Sequence, residues 1–263
     1  MIKKIFQIKA LSVIFPALLV FISIFICYKN YTPGIYLTGW DTLHPEFNYG
    51  VYLKRIVFGA WQSHQGLGSP ASQAHASEIP RIMFIGLLDI FFAKSFIRYL
   101  FAFLMLILGP LGVYFFLKKI IFKDSDSFST QIGSFLGGFF YLLNLGTLQH
   151  FNVPLEMFLV QYAFLGWVFL FLTSFYQEGR RKDLIWFSVI TFFGASQAHT
   201  PTLFYVYLMF LFLYLILMMV LDLFSKGKDI LGNKSVSLKR GALIFLLTLL
   251  INSFWLLPNI YYG

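Results

Sequence analysis

The stretch FIRYLFAFLMLILGPLGVYFFL, residues Phe96–Leu117, decides the fold, because its 22 residues hold a single charged side chain. A helix needs roughly 20 apolar residues to cross the hydrocarbon core of a bilayer. The whole chain has the same character, with 59% hydrophobic and 12% charged residues, whereas soluble domains carry about 25% charged residues. The sequence therefore predicts an integral membrane protein.

Six further apolar stretches accompany this one, and together they predict an all-α polytopic membrane protein. We expect seven spans, at Ala10–Cys27, Phe96–Leu117, Ile132–Leu148, Pro154–Phe175, Leu184–Ala198, Leu203–Phe224 and Ala242–Leu257. Long continuous apolar runs exclude an outer-membrane barrel, whose strands are shorter and alternate. The N-terminal segment has the basic start of a signal peptide but no small-residue cleavage site, so we expect it to remain as the first helix.

These spans organise residues 1–263 into one transmembrane domain, with the first span at 10–27, an outer loop over 28–95 and six further spans over 96–263. The last span ends a few residues before Gly263. We expect the chain to be the N-terminal part of a longer protein.

The basic residues predict the orientation. With the N-terminus inside, the predicted inner segments hold 14 of the 20 Lys and Arg residues, and a basic excess marks the cytoplasmic side. The net charge of +9 is then a topological signal, and nucleic acid is not a predicted partner. We expect a protein of the cell membrane with a cytoplasmic N-terminus and its active face outside.

The loop after the first span differs from the rest of the chain. It contains GWDTLHPEFNYGVYLKRIVFGAWQ (Gly39–Gln62), and the predicted topology puts all five histidines of the chain on the outer side. Two segments, Glu46–Gln62 and Ile79–Phe92, are too short or too polar to cross and predict helices that lie at the membrane interface. Pro45 suits the first turn of the earlier one.

Two carboxylates in this loop are candidate catalytic groups. Asp41 lies shortly after the first span, where a carboxylate can act as a general base toward a hydroxyl; a turn or helix-cap aspartate is the structural alternative. Glu46 is the second candidate, and its alternative is a first-turn helix charge. Together with His44 they can also bind a divalent metal, since carboxylate and imidazole are suitable ligands, although their spacing matches no specific metal motif.

Six further side chains are candidates for substrate binding. The basic groups can hold a lipid phosphate or lie among headgroups, and the histidines lie at predicted outer helix ends or in the outer loop. The candidates are His44, Lys54, Arg55, Arg81, His150 and His199.

The run WDTLHPEFNYGVYLKRIVFGAWQSHQGLGSPASQAHASEIPR resembles the first outer loop of the GT-C superfamily of membrane glycosyltransferases, in its arabinofuranosyltransferase-like branch. The matching positions are Asp41, Pro45, Trp61, Gly66, Gly68 and Pro80. The resemblance covers mainly residues 1–120. It departs from the family in the stretch AHASEIP and in the number of spans, since family members usually have eleven or more.

The resemblance implies an enzyme that transfers a sugar from a polyprenyl-phosphate donor to a glycan or lipid acceptor of the cell envelope, with the loop aspartate as base. Two other classes remain open. A transporter or flippase of lipid-linked sugars would usually place polar sites near the middle of the bilayer. A non-catalytic scaffold for envelope assembly would tolerate replacement of the loop carboxylates.

Overall fold

The structure, a computed structural model, describes residues 2–38, 44–59, 61–63, 67–123, 128–224 and 230–262. It confirms an all-α protein. Its α-helices are α1 (Ile2–Lys29), α2 (Tyr49–Val57), α3 (Ile79–Asp89), α4 (Lys94–Phe116), α5 (Phe128–Leu143), α6 (Leu145–Asn152), α7 (Glu156–Glu178), α8 (Arg181–Phe193), α9 (Pro201–Phe224) and α10 (Ile230–Tyr262). Short 3-10 helices cover Pro45–Phe47, Ala76–Glu78 and Gly194–His199, and a π-helical turn, Leu117–Ile121, extends α4.

Five segments in the described part of the chain are long and apolar enough to cross a membrane. They are Ser12–Lys29, Lys94–Ile121, Glu156–Glu178, Pro201–Asp222 and Val236–Tyr262. Helix α5 has 16 residues and α8 has 13, which is shorter than the roughly 20 residues that a straight crossing needs. Five helices therefore support the assignment as a membrane protein. The expected total of seven spans stays a prediction.

The described residues form two compact units. The first comprises Met1–Tyr52 and Arg81–Leu170, and the second comprises Leu53–Pro80 and Phe171–Gly263.

In the first unit, α5 runs antiparallel to α4. The Tyr114 hydroxyl of α4 donates a hydrogen bond to Gln131 Oε1 of α5 at 2.9 Å. Further along, Gly138 of α5 lies against α4: a β-carbon on this glycine would lie 2.8 Å from the Pro110 carbonyl oxygen. The contacts move forward along one helix as they move back along the other, and Leu142 near the end of α5 packs with Leu106 in the middle of α4.

Helix α7 then runs parallel to α4 and approaches it closely. Trp167 Nε1 of α7 donates to the Leu108 carbonyl of α4 at 2.9 Å. A β-carbon on Gly166 would lie 2.6 Å from the backbone carbonyl carbon of Gly112 and 2.6 Å from the nitrogen of Val113. Backbone cannot move aside as a side chain can, so this crossing requires glycine, as at other close membrane-helix contacts.

In the second unit, α9 and α10 pack antiparallel through aromatic rings. The ring centroids of Phe212 and Phe245 are 5.8 Å apart, and those of Phe204 and Trp255 are 4.7 Å apart with the rings edge to face. Edge-to-face packing of this kind adds stabilisation beyond the buried area. At the far end of α9, Tyr176 of α7 donates its hydroxyl to Asp222 Oδ2 at 3.0 Å.

Two expected spans differ from the observed helices. The stretch Ile132–Leu148 is not one helix, because Asn144 interrupts it: its side chain accepts a hydrogen bond from the Thr147 backbone at 3.0 Å and caps α6. Asparagine favours this cap because its side chain satisfies a backbone donor at the helix start. The stretch Leu184–Ala198 is α-helical only to Phe193 and continues as a 3-10 helix.

The expected helix Glu46–Gln62 is also wrong as a continuous element. Pro45 does lie in the first turn of a 3-10 helix, but α2 ends at Val57. Gly59 follows in a turn, where a β-carbon would lie 2.9 Å from the Ile56 carbonyl. Residues Trp61–Gln62 (β1) then pair antiparallel with Ser69–Pro70 (β2). The second expected helix exists as α3 and ends at Asp89, three residues earlier than expected.

Candidate functional site

A cluster of charged side chains lies in the first unit, where the first predicted outer loop meets the starts of α3, α4 and α7. His44 and Glu46 come from the segment around the short 3-10 helix, Arg81 from the first turn of α3, Arg98 from the second turn of α4, and Glu156 from the first residue of α7. We call these five residues the arginine–glutamate cluster. All of them except His44 are at least 95% buried.

Arg98 is the centre of this cluster. Its Nη1 lies 2.5 Å from Glu156 Oε1 and 3.4 Å from Glu46 Oε1, and its Nη2 donates to the Pro154 carbonyl at 3.0 Å. The planar guanidinium can contact several acceptors at once in fixed directions, which a lysine ammonium does less well. One side chain thereby joins the loop, α4 and the start of α7.

Arg81 completes the charge balance. Its Nη1 lies 3.7 Å from Glu156 Oε1, and its guanidinium carbon is 5.7 Å from the ring centroid of Phe101. Two guanidinium and two carboxylate groups make the cluster formally neutral, which is what deep burial of charges requires. Glu156 is also favourably placed at the N-terminus of α7, where the helix dipole stabilises negative charge.

His44 is the half-exposed member, and its protonation follows from its partner. Arg98 Nη1 lies 2.5 Å from His44 Nδ1, and because arginine can only donate, Nδ1 must accept. The ring is then neutral, with its proton on Nε2. Burial and the Arg98 guanidinium lower the pKa of His44 below its ordinary value of 6.5, and Glu46 and Glu156 oppose this only in part. At neutral pH, His44 can therefore donate from Nε2 but cannot accept a proton at Nδ1.

The structure brings together three of the sequence-predicted residues, His44, Glu46 and Arg81. Asp41, the first candidate for a catalytic base, lies outside the described residues. It precedes His44 by three positions in the sequence. Glu46 Oε1 is paired with Arg98, and Glu46 Oε2 has no hydrogen-bond partner among the described residues.

The remaining candidates lie elsewhere. On α2, Lys54 is exposed and Arg55 is half-exposed. His199 belongs to the second unit, where its Nδ1 lies 3.7 Å from Oε1 of the buried Glu78. Nearby in that unit, the Ser196 hydroxyl donates to the Ser77 carbonyl at 3.4 Å, so the 3-10 helices Ala76–Glu78 and Gly194–His199 pack against each other.

His150 belongs to the first unit and lies in α6. Its ring stacks on Phe158 with centroids 5.0 Å apart and planes 10° apart. Burial lowers the pKa of His150. It lines a pocket of about 150 Å³ between α5, α6 and α7.

No metal centre emerges within the described ranges, where no three His, Cys, Asp or Glu side chains lie close enough to share an ion. The expected ligand set included Asp41, which these ranges do not contain, so a divalent metal stays a prediction. Within the described part of that set, His44 Nδ1 and Glu46 Oε1 already face Arg98.

The sequence interpretation missed Arg98 and Glu156 as site residues. A signal was present for Arg98, because it is the only charge within Phe96–Leu117, and an ionisable residue inside an apolar span is a functional candidate by default. Glu156 carried the same signal, because it is the only charge within the predicted span Pro154–Phe175. Its importance depends on a contact across 58 residues of sequence, which periodicity cannot reveal.

Comparison with known proteins adds no family assignment. The chain matches no protein-family model, no curated protein and no solved structure.

Proposed function

We propose that this protein is a membrane glycosyltransferase that moves a sugar from a polyprenyl-phosphate donor to a glycan or lipid acceptor at the outer face of the cell membrane. The observation that supports it is the attachment of the first outer loop to Arg98. Through His44 and Glu46, this loop is held at the starts of apolar helices. A loop that is anchored in this way, three residues after a carboxylate, is suited to hold a base at the membrane surface.

In the proposed reaction, Asp41 removes the proton from the acceptor hydroxyl. The acceptor oxygen forms a bond to the anomeric carbon of the donor sugar, and the bond from that carbon to the phosphate oxygen breaks. The electron pair leaves with the polyprenyl phosphate. A lipid-linked donor would bring the activated sugar to the membrane surface, where the proposed base lies.

The arginine–glutamate cluster has a positioning role in this proposal. Arg98 and Arg81 are buried and paired with carboxylates, so they fix the loop and do not hold the donor phosphate. Glu46 remains a candidate catalytic group, but its pairing with Arg98 favours the positioning role. Lys54 and Arg55 stay sequence-based predictions for contact with a lipid phosphate. His44 can donate its Nε2 proton to a sugar hydroxyl.

The test is sugar transfer by the full-length protein in reconstituted membranes, with a panel of radiolabelled polyprenyl-phosphate monosaccharides as donors. Loss of a general base lowers a rate by roughly 10²- to 10⁴-fold, and we expect Asp41→Asn to fall in this range. Asp89→Asn is the matched control, because Asp89 is a partly exposed carboxylate at the end of α3. It should retain wild-type transfer.

Undiminished transfer by a folded Asp41→Asn variant would overturn the base assignment. Movement of the labelled donor between the two leaflets without any transfer would favour the flippase alternative. Normal envelope assembly with all loop carboxylates replaced would favour a scaffold.

A further inference from the structure

A second site lies in the first unit, on the side of α7 that faces away from the arginine–glutamate cluster. Glu156, Leu159, Val160 and Ala163 occupy one face of this helix, and the last three pack into a buried apolar cluster with α4. Phe158, Gln161, Tyr162 and Leu165 occupy the opposite face and line the pocket of about 150 Å³ against α5 and α6. Because a helix turns 100° per residue, Glu156 and Leu165 lie on opposite sides of α7. Tyr162 also packs against Leu106 of α4.

Aromatic rings form much of the wall of this pocket. Tyr141 and Tyr162 stack on each other with centroids 4.6 Å apart and planes 8° apart, and His150 stacks on Phe158. Each ring uses one face for its neighbour. They therefore present flat walls and edges to the pocket and do not form the open cage that a quaternary ammonium group requires.

The polar lining contains no formal charge at neutral pH. The Tyr141 and Thr147 hydroxyls bond to backbone carbonyls, and the Asn144 side chain is used in capping α6. The Gln161 amide and the His150 imidazole are different, since neither has a hydrogen-bond partner among the residues that the structure describes. No Lys, Arg, Asp or Glu lines the pocket, so it offers nothing to neutralise a phosphate or an ammonium group.

From these observations we propose that the pocket binds a neutral polyhydroxy ring of the size of one monosaccharide, with hydroxyls on Gln161 and His150 and a ring face against the aromatic wall. The volume limits the ligand to one ring, because a cavity of roughly 150 Å³ holds a six-membered ring such as benzene; a pyranose has twice as many heavy atoms and would enter with part of the ring outside the pocket. Exposed Leu145 and Leu148 on α6 border the site, so the ring can come from a glycolipid headgroup or from a free sugar. The inference does not rest on the proposed transferase activity.

The experiment uses the full chain in phosphatidylglycerol nanodiscs that carry monoglucosyldiacylglycerol, with native mass spectrometry to measure retained lipid. Diacylglycerol with the same acyl chains is the reference without a sugar. Titration of methyl β-glucopyranoside forms a second arm that distinguishes a free sugar from a lipid-borne one. We expect selective retention of the glucolipid over diacylglycerol; binding of the methyl glucoside as well would extend the site to free sugars.

Gln161→Leu removes the amide at nearly constant volume. Loss of one hydrogen bond corresponds to roughly two- to tenfold weaker binding, and we expect this change for the glucolipid. Gln149→Leu is the matched control, because Gln149 is exposed on α6 and does not line the pocket. Leu165→Trp fills the pocket with a larger side chain and leaves Gln161 and His150 in place. It should abolish retention of the glucolipid.

Equal retention of diacylglycerol and glucolipid would overturn the proposal, because it would show no recognition of the sugar. Unchanged retention in both Gln161→Leu and Leu165→Trp would overturn it as well. Equal weakening by Gln149→Leu and Gln161→Leu would contradict the assigned location.

Discussion

Replacement of Arg98 by glutamine should destabilise the first unit strongly. The variant leaves Glu46, at 1% exposure, without the guanidinium that pairs with it, and leaves Glu156, at 4% exposure, with the longer contact to Arg81 at 3.7 Å. It also removes the bond to the Pro154 carbonyl. Removing one partner of a buried ion pair costs about 3–5 kcal/mol, since the remaining charge stays desolvated. For a protein of this size, that cost corresponds to a fall in the unfolding midpoint of roughly 6–20 °C.

The single cysteine provides the assay. Cys27 is buried at 6% exposure among Leu106, Leu142 and Tyr162, so a thiol-reactive fluorophore reports the temperature at which the first unit opens. The purified protein is heated in detergent with the dye, and the midpoints of wild type and Arg98→Gln are compared. No added cysteine is needed, because the chain contains only one.

Two further variants separate the buried ion pair from a general effect of losing an arginine. Arg180→Gln is the matched control, because Arg180 also pairs with two carboxylates, Glu178 and Asp183, but is 44% exposed; exposed pairs contribute little, so its midpoint should stay close to that of wild type. Arg98→Gln combined with Glu156→Gln should recover part of the loss. An Arg98→Gln midpoint equal to that of wild type would refute the assignment of a stabilising buried cluster.

Two more predictions use the same measurement. The pKa of His44 is lowered in the folded protein below its ordinary 6.5, so the unfolded chain binds more protons and stability should fall as the pH drops below about 6.5; this slope should weaken in His44→Asn, and an unchanged slope would contradict the neutral assignment. Gly166→Ala should lower the midpoint, because its β-carbon would lie 2.6 Å from the backbone of Gly112, and overpacking of this kind costs about 1–3 kcal/mol. Gly50→Ala, at an exposed position of α2 where a β-carbon meets no atom closer than 4.0 Å, serves as the comparison, and equal midpoints for the two glycine variants would contradict the required close approach.

Much of the fold was predictable because the bilayer constrains it so strongly. A chain that crosses hydrocarbon must satisfy its backbone within helices, and this makes long apolar runs such as Phe96–Leu117 readable directly. The helix boundaries were less predictable. In the sequence, Asn144 is one polar residue in an apolar run, and nothing marks it as a helix boundary. The structure shows that its side chain accepts a hydrogen bond from the Thr147 backbone and caps a new helix.

The candidate site was predictable only in part. His44, Glu46 and Arg81 stood out as polar residues in an apolar chain, and this is a property of composition. Their grouping around Arg98 was not visible in the sequence. It depends on α7 running parallel to α4, which places Glu156 at the start of α7 next to Arg98 near the start of α4. Periodicity describes one helix at a time and does not record which faces meet.

The amino-acid sequence by itself determined that this protein is helical, that its apolar helices suit a membrane, and that most of its ionisable groups lie outside the apolar runs. These properties follow from the free energy of transferring each segment from water to hydrocarbon, which depends on the residues of that segment alone and adds along the chain. The tertiary structure alone decided which charges pair, which glycine permits the α4–α7 crossing, and where a neutral pocket lies beside α7. Those outcomes depend on distances between residues that are far apart in the chain, and only packing sets those distances.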